Sequence, residues 1–88
     1  MVITTQILES RLKETFKDEK DKITIEDLSG GCGAKFQIII GSDQFTGLGL
    51  LERHRLVNNL ISDFMNDIHA VQLKTWTLSQ YDEKIKQL

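Results

Sequence analysis

A single cysteine, Cys32, stands in 88 residues. One cysteine cannot close an internal disulfide, so the chain suits a reducing compartment. The lack of a Cys-x-x-Cys pair removes dithiol redox chemistry. Proline is absent, and turns must come from glycine and the short polar residues. No apolar run is long enough to span a bilayer. No basic region followed by an apolar one opens the chain, so no secretory leader is expected. These features predict a cytoplasmic location, with the mitochondrial matrix left open. An excess of basic charge is also missing: 11 Lys and Arg stand against 13 Asp and Glu, for a net charge of −2. That balance speaks against general nucleic-acid binding, which needs a basic face. What is present is globular: 40% hydrophobic and 27% charged residues. We expect one domain over residues 1–88, with a modest core.

The chain reads α-β-β-α-β-α. Ile7, Leu8, Leu12 and Phe16 recur at three- and four-residue spacing and predict an amphipathic helix over 3–19, capped by Thr4 or Thr5. The charged run 17–22 reads as a solvated turn. Ile23 and Ile25 alternate with Lys22, Thr24 and Glu26 in a half-buried strand over 22–28. A second strand over 35–41 carries Phe36, Ile38 and Ile40 on one face. The short loop between the two makes them antiparallel. A loop over 41–50 follows, with Phe45 as its anchor. A helix over 51–65 then places Val57, Leu60, Ile61, Phe64, Met65 and Ile68 in one sector. The alternating stretch 69–76 predicts a third strand, parallel to the second through a β-α-β crossover. Thr77 and Gln80 have capping-box spacing and open a short last helix that ends near Lys86. The apolar faces predict a small mixed three-stranded sheet with its helices on one face.

Cys32 lies on a glycine-rich tip, between Gly30, Gly31 and Gly33. A buried, inert cysteine fits poorly there, because the tip offers no apolar neighbours. An exposed thiol can act as a ligand, a nucleophile or a redox site. Nucleophilic catalysis needs a placed base, and the sequence places none. His69 sits at the start of the third strand and His54 in the first turn of the long helix. A tetrahedral zinc or an iron–sulfur cluster needs about four ligands. If Cys32 and His69 bind metal, they form half a site and a partner or small thiol completes it. Gly30-Gly31-Cys32-Gly33 matches the Gly-x-x-Gly of KH domains, but here the loop joins two strands. Arg53-His54-Arg55, Lys84 and Lys86 read as solvated basic surface.

Ser-Gly-Gly-Cys-Gly-Ala-Lys-Phe at 29–36, Glu-Arg-His-Arg-Leu-Val-Asn at 52–58, Ile-His-Ala at 68–70 and Lys-Thr-Trp-Thr at 74–77 resemble BolA-type proteins over nearly the whole chain. The loop cysteine is like that of the family's cysteine-bearing branch. The resemblance implies an α/β fold of class II KH type and partnership with a monothiol glutaredoxin. It implies a bridging [2Fe–2S] cluster, with the glutaredoxin cysteine and glutathione as ligands on one side. On the other side it implies Cys32 and His69, with His54 ranking behind them. A non-enzymatic role in cluster assembly, delivery or iron sensing follows, with an apo monomer and no membrane association. The competing readings are a KH-like nucleic-acid-binding transcriptional regulator and, last, a thiol enzyme acting through Cys32.

Overall fold

A computed structural model describes residues 2–32 and 34–87. Gly33, part of the glycine-rich tip, lies outside the described residues, as do Met1 and Leu88. Helix α1 (Thr5–Lys13) is followed by β1 (Lys22–Asp27) and β2 (Lys35–Gly41). A short 3₁₀ turn (Asp43–Phe45) leads into α2 (Leu50–Leu60), a second 3₁₀ turn (Ser62–Phe64) and β3 (Ala70–Trp76). Helix α3 (Leu78–Lys84) and a 3₁₀ turn (Ile85–Gln87) close the chain.

The sheet order is β1-β2-β3. β1 pairs antiparallel to β2, with Ile23 opposite Ile40 and Ile25 opposite Ile38. β2 pairs parallel to β3, with Phe36 beside Val71 and Ile38 beside Leu73. Such a register puts one apolar set on one face, because successive side chains alternate. Phe36, Ile38 and Ile40 are fully buried there against Leu8 and Leu12 of α1, Val57 of α2, Phe45 and Ile61. The Phe16 ring closes this core against Phe45 at 5.4 Å.

Two helices end earlier than their apolar spacing suggests. Thr4 caps α1 by accepting from the Ile7 N–H, and the helix stops at Lys13. Phe16 keeps its buried place in a turn held by the Phe16 N–H bond to Leu12. α2 stops at Leu60 because Ile61 leaves helical geometry, at φ −110° and ψ 14°. The second 3₁₀ turn then buries Phe64, while Met65 is exposed.

The helices do not all share one face. α1 and α2 cover the Phe36–Ile38–Ile40 side, as their core residues require. Gly41, Trp76 and Ile39 point the other way by alternation. A Cβ on Gly41 would lie 2.7 Å from Tyr81 of α3, and the Trp76 and Tyr81 rings stand 6.1 Å apart. Ile85 lines the same side with Ile39 and Lys74. The last helix therefore packs over the second face, where a glycine makes room for an aromatic ring. The Thr77–Gln80 capping box forms in full.

Candidate functional site

The Cys32 loop is built from its base upward. The Leu28 N–H donates to the Lys35 carbonyl (2.8 Å) and closes the hairpin. The Ser29 N–H donates to the Asp27 carboxylate at 2.8 Å, and the Ser29 hydroxyl donates to the same oxygen. That hydroxyl also accepts from the Ala34 N–H at 3.2 Å. Gly30 and Gly31 then turn the chain at φ 71° and 96°, values that side-chain-bearing residues adopt at a cost. Cys32 is carried on the tip as a free, exposed thiol.

The loop is also fastened to the start of β3. The Ala34 carbonyl accepts from the His69 N–H at 2.7 Å and from the Ala70 N–H at 3.0 Å. Cys32 is two residues before Ala34, so the thiol tip and His69 sit at the same end of the sheet. His69 is exposed as well. Among the described residues no three His, Cys, Asp or Glu side chains gather into a metal cluster.

His54 is elsewhere. It lines a surface groove with Thr75, Trp76, Gln80 and Lys84, at the far end of β3. A seven-residue strand spans roughly 20 Å, so His54 is not brought together with Cys32 and His69. Its neighbour Arg53 corrects the reading of the Arg53–Arg55 run as solvated surface. Its Nε donates to the Leu48 carbonyl (2.9 Å), and one terminal nitrogen donates to the Thr75 carbonyl (3.1 Å) and to Gln80 Oε1 (2.9 Å). The Arg53 guanidinium lies 6.0 Å from the Phe45 ring centre. Gln80 Oε1 also accepts from the Thr77 N–H, so Arg53 ties the α2 entrance to β3 and to the α3 cap. Arg55 is exposed.

Sequence reasoning passed over Ser29, Asp27 and Ala34. A signal was present: Asp-x-Ser beginning on the last residue of a strand is the pattern of a side chain that caps its own turn. The bond from Ala34 to His69 is long-range and leaves no local trace.

A family model described as "BolA-like protein" matches residues 8–80. The protein named BOLA2 from Arabidopsis thaliana is 40% identical over 73 residues, covering 83% of this chain and 76% of that one. Among solved structures, a bol-like protein from Babesia bovis superposes with a TM-score of 0.81 at 39% identity, covering 97% of this chain and 96% of that one. The solution structure of yeast Fra2 gives a TM-score of 0.74 at 32% identity, covering 99% and 92%. No helix among the described residues is long and apolar enough to cross a membrane.

Proposed function

The chain belongs to the BolA-like family, and from that premise we propose that it is a non-enzymatic partner of a monothiol glutaredoxin in iron–sulfur cluster assembly, delivery or iron sensing. In this reading Cys32 and His69 supply two ligands to a bridging [2Fe–2S] cluster. The glutaredoxin cysteine and glutathione supply the others. One observation carries the reading. The Ala34 carbonyl holds the backbone of His69 and Ala70, which brings an exposed thiol loop and an exposed imidazole to one end of the sheet. A thiol and an imidazole fit half of a four-ligand donor set, and no third donor from this chain is needed.

The group, when bound, supplies one-electron chemistry at a potential that histidine ligation raises relative to an all-cysteine site. This chain's part is to offer a thiolate and an unprotonated imidazole, so the complex is sensitive to acid.

The test is anaerobic mixing with a cluster-loaded monothiol glutaredoxin and glutathione, followed by visible circular dichroism. A new spectrum with a stable 1:1 complex, lost on Cys32→Ala or His69→Ala, is the expected result. An unchanged spectrum and no complex rejects the reading. Salt-sensitive binding to DNA or RNA in its place would favour the regulator instead.

A further inference from the structure

The geometry points to Ser29 as the positioning residue of the half-site, an inference that rests on the cluster reading above. Its hydroxyl is used twice. It donates to the Asp27 carboxylate and accepts from the Ala34 N–H at 3.2 Å. Ala34 is thereby held from both sides of its backbone. Its N–H is fixed by Ser29, and its carbonyl is fixed by the N–H groups of His69 and Ala70. A continuous chain of hydrogen bonds runs Asp27–Ser29–Ala34–His69. It starts at the end of β1 and finishes at His69, the residue before β3. Cys32 is on the span between its second and third members.

Ser29 has features that a general hairpin clamp would not need. The ladder bond from Leu28 to Lys35 already closes the strands at the base. The Ser29 hydroxyl adds a link between the glycine-rich tip and the residue that touches β3. Gly30 and Gly31 have open space around them, with nothing within 4 Å of an added Cβ. Packing therefore leaves the tip unfixed on that side, and hydrogen bonds at its base must orient it. Ordering the ligand loop before the partner arrives lowers the entropy lost on binding. Metal ligands are commonly oriented by such outer hydrogen bonds, whose loss weakens the site. Ser29 touches neither ligand side chain. It acts through the loop backbone.

Ser29→Ala removes both hydroxyl contacts, whereas Ser29→Thr keeps a hydroxyl in place. Two readouts separate positioning from plain stability. The first is amide hydrogen exchange in the protein alone. Ser29→Ala should speed exchange at Ala34 and His69 by about fivefold, the worth of one ordinary hydrogen bond, with core amides of β2 unchanged. The second is visible circular dichroism and cluster lifetime in the complex with cluster-loaded glutaredoxin and glutathione. Ser29→Ala should alter the spectrum and shorten the lifetime about fivefold, and Ser29→Thr should restore both. If Ser29→Ala matches the parent in exchange and spectrum while Cys32→Ala abolishes the spectrum, Ser29 does not position the site but the cluster reading stands. If Cys32→Ala and His69→Ala also leave the complex unchanged, the cluster reading itself falls and takes the inference with it. A uniform rise in exchange across β2 would mark Ser29 as a general stabiliser and overturn its positioning role.

Discussion

Removing the Arg53 guanidinium should be among the most damaging single changes at a residue that is not fully buried. Arg53→Ala deletes three hydrogen bonds, to Leu48, Thr75 and Gln80, at 2.9, 3.1 and 2.9 Å. A hydrogen bond involving a charged group contributes about 1.5–3 kcal/mol when buried. The side chain is half-buried, so water replaces part of that at the two carbonyls. The net loss expected is roughly 2–4 kcal/mol. That is a large share of the roughly 5–15 kcal/mol available to a small domain. Each kcal/mol moves the midpoint of a domain this size by about 4–8 °C, so the fall in Tm should be roughly 10–30 °C. Arg53→Lys, with one compact ammonium in place of a planar fork, should recover less than half of the loss. Arg55→Ala, at an exposed position, should stay within about 0.5 kcal/mol of the parent. Urea unfolding followed by far-ultraviolet circular dichroism measures all three, and an unchanged slope licenses the comparison. If Arg53→Ala and Arg55→Ala cost the same, Arg53 is solvated surface and the account of it as a three-way tie is wrong.

Gly41→Ala should destabilise by about 1–3 kcal/mol, because the added methyl has no room and overpacking forces movement. The clash is with Tyr81 at 2.7 Å, so Trp76 fluorescence should change while the α1–α2 core holds; no change in fluorescence or stability refutes the packing of α3 on that face. Phe45→Ala should cost about 3–5 kcal/mol as a fully buried ring, read from the urea midpoint, and a loss under about 1 kcal/mol contradicts its role as core anchor. The acid limb of stability should depend on Asp63. Arg11 hydrogen-bonds this carboxylate and holds it below its ordinary value of 3.8, with burial a lesser opposing effect. A lowered folded value means the pair's stabilisation is complete above the ordinary carboxylate value and is lost as pH falls from there through the lowered folded value. Asp63→Asn should flatten the change in urea midpoint below about pH 4, and an acid limb identical to the parent's removes Asp63 from it.

Much of the architecture was legible because periodicity and spacing act locally. The alternation in Lys22–Asp27 and the buried run in Lys35–Gly41 matched their strands, and Thr77 with Gln80 formed the expected capping box. The parallel pairing of β2 with β3 followed from chain length between them. Helix ends were less legible. Phe16, Phe64 and Ile68 continue the helical spacing and are buried, yet they lie beyond the ends of the α-helices, since a core accepts a side chain whatever backbone presents it. The second face of the sheet was missed because its signal is a missing side chain, Gly41, opposite Tyr81. At the candidate site, Cys32 and His69 stood out by residue type and loop context. Ala34, Ser29 and Arg53 did not, because their roles are hydrogen bonds to partners set by the tertiary fold.

The most direct test of the cluster reading is pulsed electron paramagnetic resonance on the reduced complex, with this chain carrying ¹⁵N-labelled histidine. The account predicts one strongly coupled ¹⁵N nucleus, lost in His69→Ala and retained in His54→Ala. A spectrum without a coupled histidine nitrogen, or a coupling that survives His69→Ala, would contradict it.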